Sequence, residues 1–445
     1  MPTGMLLALL IFLVTYILIS IRRFGRFHIE RPAVAMLGAA LMILAGVVTP
    51  QDALGAIDLN TLALLLGMML LVASLEICGF FTWLSLRIVE KSKNQFQFLV
   101  LIMLATATLS ALILNDTVVL LFTPIIIRSC QLIKANPVPF LVAEAVSANI
   151  GSVATEVGNP QNAFIAIHSG IPFAEFTLKL LPVTLISMLV AIALIWIVFR
   201  RDLLADSSVV EHRRREAKRW WNVFRGEISK PIDCDAAKGC IHFERMHRSV
   251  WFVLGAIVVV FLGFLISPQT QIPLSLVAFM GGAAVLFALP ILNSDATPKR
   301  LMGGVDWSLL LFFVGLFIVL KGVDVSGLMA EMVKAFQTTG LGLTDVTGLS
   351  AFTAVLSNLI SNVPAVMLLT PLVSVQGSNA LWLALAASST LAGNATILGA
   401  AANVIVVETS ERLGVEVSFW RFIKAGLPIT LVTLLVSIVL LVIIG

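Results

Sequence analysis

The segments NDTVVLLFTP, starting at Asn115, and NVPAVMLLTP, starting at Asn362, are two copies of one pattern. In each, Asn is followed nine residues later by Pro, at Pro124 and Pro371, and the two copies lie 247 residues apart. A polar Asn set twice into strongly apolar chain at one spacing leaves few folds open. Other pairs keep the same order: Asp58 with Asp306, Gly67 with Gly315, Glu76 with Asp324 and Gly79 with Gly327. Thr155 pairs with Thr396, Gly158 with Gly399, Asn162 with Asn403, and Pro182 with Pro428. Collinear matches over four segments indicate a chain built from two similar halves.

The halves are too apolar for a water-soluble core. Apolar residues make up 59% of the chain, charged residues 12%, and mean hydropathy is +1.03. Soluble domains are roughly half apolar and a quarter charged. A bilayer must therefore take the surplus. The net charge of +4 is modest, and the basic residues cluster between apolar runs. That fits membrane topology and excludes a nucleic-acid partner. Cys78, Cys130, Cys234 and Cys240 are too few and scattered for a disulfide framework. The opening MPTGMLLALLIFLVTYILISI carries no charge before Arg22, so it reads as a first membrane helix and not as a signal peptide.

Runs of about 20 apolar residues can span a bilayer. They are expected near 4–21, 33–49, 59–78, 138–168 and 177–199, and again near 250–267, 273–291, 306–321, 381–408 and 421–444. Two further stretches, 98–133 and 349–376, are broken midway by the repeated Asn. Each reads as a re-entrant hairpin with arms short for a span; such backbone survives at depth only when buried in protein or lining a wet cavity. Residues 80–95 and 327–338 read as interfacial helices. The expected fold is an all-α polytopic membrane protein of two five-span repeats, 1–200 and 249–445, joined by a charged linker, 201–248.

Five spans per repeat is odd, so the repeats must be inverted in the membrane. Arg22, Arg23, Arg26 and Arg31 follow the first span, and Arg87, Lys91 and Lys93 the third. Arg200, Arg201 and His212–Arg215 follow the fifth; Lys299 and Arg300 precede the eighth; Arg412, Arg421 and Lys424 precede the last. The loops 50–58 and 268–272 have no Lys or Arg. The positive-inside rule then puts both termini outside, the linker in the cytoplasm, the first hairpin opening inward and the second outward, with Lys321 and Lys334 as exceptions. The expected location is a bacterial inner membrane.

The chemistry should lie in SANIGSVATEVGNPQN (Ser147–Asn162) and its partner SSTLAGNATILGAAAN (Ser388–Asn403). Each reads as a helix that breaks and resumes. A break frees carbonyls that can meet a cation and N–H groups that attract an anion. Gly151, Gly158, Gly393 and Gly399 are expected to let the backbone open. Asn115, Asn149, Thr155, Asn159, Asn162, Asn362, Asn394, Thr396 and Asn403 supply neutral oxygens and amides. Small and polar residues also glue membrane helices together, but their density and duplication beside two hairpin tips favour a binding site. Asp116 and Glu156 stand opposite Val363 and Ile397 in the other repeat. A mid-membrane carboxylate costs about 2.5–3.5 kcal/mol and is a functional candidate by default; these two would hold sodium or carry a proton. Glu144 is a weaker candidate. No Lys or Arg falls at an expected midplane position, so an anion would be held by amides, hydroxyls and helix N-termini; a neutral hydroxide such as arsenite would also fit. Cys234, Cys240, His242 and His247 form C-x5-C-x-H-x4-H, which is not a standard zinc spacing. Trp220 and Trp221 read as an interfacial anchor of the linker.

GSVATEVGNPQN, AGNATILGAAAN, NDTVVLLFTPIIIRSC and SNVPAVMLLTP resemble the paired broken-helix and hairpin-tip motifs of the ion transporter superfamily. That group includes arsenite permease-like proteins, the pigmentation P protein, divalent anion/sodium symporters and NhaD-type sodium/proton antiporters. The resemblance covers the chain apart from the linker. It implies inverted repeats, sodium or proton coupling, a homodimer and an elevator movement. By motif match, Asn115, Asp116, Thr117, Asn149, Gly151, Thr155, Gly158 and Asn159 would line one half-site. Ser361, Asn362, Gly393, Asn394, Thr396 and Asn403 would line the other. Sodium would sit among Asn115, Asp116, Asn149, Asn362 and Asn394, with no other cofactor. The dicarboxylate symporters carry Ser-Asn-Thr at both tips. Here the tips read Leu-Asn-Asp-Thr and Ser-Asn-Val-Pro, closest to the permease-like branch.

The sequence thus points to an ion-coupled secondary carrier of a small anion or arsenite-like oxyanion, not an enzyme. The first rival is a sodium/proton antiporter. A membrane-embedded enzyme or a sensor is the second: His28, His168, His212, His242 and His247 do not cluster, and a sensor needs no duplicated site.

Overall fold

The computed structural model describes residues 3–20, 23–24, 27–28, 30–203, 247–338 and 342–444. The linker residues Trp220, Trp221, Cys234, Cys240 and His242, and the His212–Arg215 run, lie outside them. The described chain is helical apart from a two-residue antiparallel pairing of Arg23–Phe24 with Phe27–His28. Eight of its described helices are long and apolar enough to cross a membrane.

The frame is formed by α1 (Thr3–Ser20), α2 (Arg31–Leu44), the short α3 (Pro50–Gly55) and α4 (Leu59–Ile77). From the second half it takes α11 (Val250–Thr270), α12 (Leu274–Leu292), the short α13 (Pro298–Gly303) and α14 (Trp307–Val325). The Asp–Gly–Gly set matched in sequence at 58/306, 67/315 and 79/327 gives the same local structure twice. Asp58 caps α4 by accepting from the Asn60 N–H at 3.0 Å; Asp306 caps α14 by accepting from the Leu309 N–H at 3.1 Å. A side-chain oxygen there satisfies a backbone donor that the helix start leaves open. Gly79 (φ 75°) and Gly327 (φ 78°) turn the chain out of each helix in the left-handed region that glycine tolerates.

The middle glycine of each set fixes the packing. α4 lies against α12 and α14 against α2, so each helix pairs across the halves. A Cβ on Gly67 would sit 2.2 Å from the Ala278 carbonyl oxygen, and one on Gly315 2.5 Å from the Ala35 carbonyl carbon. Close backbone approach at glycine is how membrane helices gain contact without a hydrophobic drive. Gly67→Val is expected to destabilise the frame by about 3 kcal/mol, the upper range for overpacking. Thermal unfolding in detergent measures it; a wild-type melting curve would contradict this packing.

α2 is shorter than expected and stops at Leu44, because Gly46 takes φ 69° and Thr49 starts α3 as its N-cap. Beyond α4, the amphipathic α5 (Phe80–Lys91) leads to a hairpin of α6 (Gln95–Leu112) and α7 (Asn115–Ile133). Its first arm has 18 residues, the length of α1, so arm length does not mark a hairpin here. The two-residue turn does. The broken helix follows as α8 (Pro137–Ser152) and α9 (Pro160–Ser169), then α10 (Phe173–Leu203). The second half repeats the order: α15 (Leu328–Thr338), a hairpin of α16 (Val346–Ile360) and α17 (Asn362–Gln376), then α18 (Asn379–Ala392). Two 3-10 turns, Gly393–Ala395 and Ile397–Gly399, lead to α19 (Ala401–Arg412) and α20 (Phe419–Ile444). α6 packs on α8, α16 on α18 and α10 on α20.

Candidate substrate and ion site

Both helix breaks are braced in one way. Asn162 donates its amide to the carbonyls of Ser152 and Thr155, both at 3.0 Å. Asn403, 241 residues later, donates to Gly393 at 2.7 Å and Thr396 at 2.9 Å. Two carbonyls freed by each break are therefore already occupied by an Asn side chain. The threonines tie each break to its own hairpin: Thr155 donates to the Ala111 carbonyl and Thr396 to Asn358 Oδ1 at 3.4 Å. At the tips, the Asn115 N–H donates to the Gly158 carbonyl at 2.9 Å. With its nitrogen turned toward them, the Asn362 amide donates to the carbonyls of Ser389 at 3.1 Å and Gly399 at 2.9 Å. These bonds answer where the backbone groups of an interrupted buried helix go.

Asn149 joins the two breaks. It donates to Asn394 Oδ1 and Asn403 Oδ1, each at 2.9 Å, and accepts from the Asn115 amide at 3.3 Å. Thr390, its counterpart in the second half, receives Asn159 at 3.3 Å and Gln161 at 3.2 Å. One polar lattice thus runs from the first hairpin tip through α8 into the second break.

The break glycines do different work from that expected. None of Gly151, Gly158, Gly393 and Gly399 has positive φ. They make room instead. A Cβ on Gly151 would lie 2.2 Å from the Ala107 carbonyl oxygen, and one on Gly399 2.7 Å from that of Gly393. Gly151 lies within α8, before the break.

A cavity of about 950 Å³ reaches both hairpin tips. Of the expected site residues, Asn115, Asp116, Ser361 and Asn362 line it. The others, Thr117, Asn149, Gly151, Thr155, Glu156, Gly158, Asn159, Asn162, Gly393, Asn394, Thr396, Gly399 and Asn403, are not among its lining residues. Most of these form the lattice and breaks just described. Asp306, Glu408, Glu411 and Arg412 also line the cavity.

Several polar lining residues were missed as site residues, Gln161 and Arg31 among them. Gln161 sits inside the GNPQN segment. Arg31 was counted only as a charge of the first loop, yet its Nη1 donates to Ser361 Oγ at 3.1 Å. A cationic side chain therefore reaches the second hairpin tip. Position in a loop does not limit a side chain as long as arginine's, and α2 starts at Arg31 itself, which brings the guanidinium to the tip.

Two acids, Glu144 and Glu156, are fully buried and outside the cavity lining. Thr123 lies 3.1 and 3.0 Å from the two oxygens of Glu144. Neither carboxyl oxygen of Glu156 has a hydrogen-bond partner among the described residues. A lone charge at that burial is untenable unless a proton or cation neutralises it. For sodium, the five expected residues offer few free oxygens: Asn149 and Asn394 spend their Oδ1 atoms on neighbouring amides. No cluster of three or more His, Cys, Asp or Glu that could hold a metal occurs among the described residues.

Similar proteins agree on the class. A family model described as citrate transporter, CitMHS, matches residues 16–386. An uncharacterised transporter of Mycobacterium tuberculosis is 31% identical over 98% of this chain and 97% of its own length. The silicon efflux transporter LSI3 of Oryza sativa subsp. japonica is 32% identical over 92% of each chain. Among solved structures, the Alcanivorax borkumensis YdaH transporter superposes with a TM-score of 0.53 at 16% identity, covering 99% of this chain and 98% of that one, which is a likeness of fold. The duplicated hairpins, the braced breaks and the family match along most of the sequence agree: this integral membrane protein is a transporter of the citrate transporter family, CitMHS.

Proposed function

We propose that the chain is an ion-coupled secondary carrier of a small anion or arsenite-like oxyanion, working by alternating access. The observation that carries this reading is the cavity that meets both hairpin tips at once, with Asn115 and Asp116 on one and Ser361 and Asn362 on the other. The names of the relatives span citrate and silicon, so they do not choose a solute. The lining is mixed: amides and hydroxyls that donate and accept stand beside five carboxylates and two guanidiniums, Arg31 and Arg412, which suits a compact polar solute.

The two halves, 1–200 and 249–445, act as repeats of inverted topology in this proposal. The pairing of α4 with α12 and of α14 with α2 supports it, as do the matching Asn162 and Asn403 braces. The hairpins, broken helices and lattice would move together past the frame as an elevator. Glu408, Glu411 and Arg412 on the cavity wall lie in the last turns of α19, an end that the charge distribution assigns to the cytoplasm, so the cavity would face inward. A bacterial inner membrane, outside termini, a cytoplasmic linker and a homodimer belong to the same proposal.

Coupling would run through Asp116 and Glu156. A proton is favoured over sodium, because Asn149 and Asn394 spend their Oδ1 atoms within the lattice, while neither carboxyl oxygen of Glu156 has a hydrogen-bond partner among the described residues. Asp116→Asn is expected to lower gradient-driven flux by about tenfold to a hundredfold, the worth of one charge-assisted hydrogen bond. Its retention time on size exclusion should stay that of the wild type. Undiminished flux in proteoliposomes would remove Asp116 from the mechanism.

A further inference from the structure

Gln161 joins the cavity wall at the start of α9, behind the Asn159 cap and Pro160. Its amide is not free to turn. Nε2 donates to Thr390 Oγ1 at 3.2 Å, across the two halves of the chain. Thr390 sends its own hydroxyl proton to the Ala386 carbonyl at 2.9 Å, so its oxygen can only accept. A reversed Gln161 amide would set two acceptors face to face. The orientation is therefore fixed, and Oε1 is left without a hydrogen-bond partner among the described residues. That oxygen is not one of the unpartnered atoms sealed inside the protein, and its residue lines the cavity, so it opens there. The rest of the wall is also short of free donors. Asn362 gives its amide to the carbonyls of Ser389 and Gly399, and Asn115 gives one hydrogen to Asn149. Glu30, Asp116, Asp306, Glu408 and Glu411 outnumber Arg31 and Arg412. A solute that settles here must bring hydrogen-bond donors of its own.

We propose that Gln161 is a specificity-determining, substrate-contacting residue whose Oε1 accepts a hydrogen bond from a hydroxyl of the solute. A solute with an O–H at this point satisfies the fixed acceptor. A solute whose oxygens carry no proton sets its lone pairs against that of Oε1 and leaves both unpaired, which costs the full desolvation of the buried group. Sites built to bond a hydroxyl reject the analogue that lacks it far more strongly than apolar pockets tell sizes apart. Gln161 thus sorts solutes by whether an oxygen bears a proton, not by net charge. The matching position in the second half, 241 residues on, is Ala402, which has no such group, so the hydroxyl is read from one side only. This role rests on reading the cavity as the solute site.

The test is solute binding to the purified full chain in detergent, by calorimetry, for wild type, Gln161→Met, Thr390→Val, Asn115→Ala and Asn362→Ala. The probes are pairs alike in size and charge that differ in one hydroxyl: hydrogen phosphate against sulfate at mildly alkaline pH, and citrate against tricarballylate. The wild type is expected to bind the hydroxyl-bearing member of at least one pair about tenfold or more tightly, the effect of one buried acceptor left unpaired. Gln161→Met keeps the length of the side chain without the acceptor and should bring that pair within about twofold. Thr390→Val frees the amide to turn its N–H toward the cavity, so the member without the hydroxyl should gain relative to its partner; a gain cannot come from misfolding, and this variant carries the test if Gln161→Met fails to assemble. Three results would overturn the proposal: wild type binding no probe or both members of each pair alike, Gln161→Met keeping the wild-type preference, or Thr390→Val leaving the preference unchanged. If Asn115→Ala and Asn362→Ala leave the affinities unchanged, the cavity itself is not the solute site, and that failure is separate from one confined to Gln161.

Discussion

Glu156→Gln is expected to abolish gradient-driven accumulation while the protein still inserts and assembles. Glu156 lies in the break between α8 and α9, fully buried, with neither carboxyl oxygen partnered among the described residues. Glutamine keeps its shape and removes only the site where a proton or cation binds. One charge moved through 100 mV is worth about 2.3 kcal/mol. At 1.36 kcal/mol per decade this supports roughly fiftyfold accumulation. The variant should fall to equilibration, with internal solute no higher than external, although exchange of solute across the membrane continues. Uptake into proteoliposomes under an imposed potential and pH gradient measures this. Accumulation at the wild-type level would remove Glu156 from coupling and leave it a structural residue.

Asn149→Leu is expected to cost the most stability of any single polar change in the lattice. Asn149 holds Asn394, Asn403 and Asn115. Leucine leaves the Oδ1 atoms of Asn394 and Asn403 buried without this donor. Each stranded group costs about 1–3 kcal/mol, so the total is about 3 kcal/mol or more. Melting temperature in detergent should fall clearly, and flux should fall with it, because the first tip and the second break lose their link. By contrast, Thr117→Val, outside the cavity lining, should change both little. A wild-type melting curve for Asn149→Leu would show that the two breaks are held together by packing alone.

The helix order was legible because apolar length and charge are one-dimensional properties. The Asp58/Asp306 caps and the Gly79/Gly327 turns were also visible, since each acts within a few residues of itself. The pairing of α4 with α12 was not, because it depends on which surfaces meet across two halves. The same limit explains the site. The sequence picked out polar residues that the fold brings together but did not separate those that brace the backbone from those that face the cavity. Asn162 and Asn403 looked like ligands, and they are occupied with carbonyls of their own breaks. The break glycines looked like hinges, and close approach is what they provide. Arg31 was read through its loop, which is a statement about the backbone and not about where a long side chain ends.

The central claim, an ion-coupled carrier of a small oxygen-rich solute, is tested most directly by solid-supported-membrane electrophysiology on the wild-type protein in liposomes. Jumps of arsenite, sulfate, citrate and dicarboxylates are applied with and without sodium at two pH values. The account predicts a transient current evoked by one class of solute and altered by pH, with little response to sodium. Silence to every solute, with a pH-dependent current on sodium or lithium alone, would contradict it and assign the protein to sodium/proton exchange.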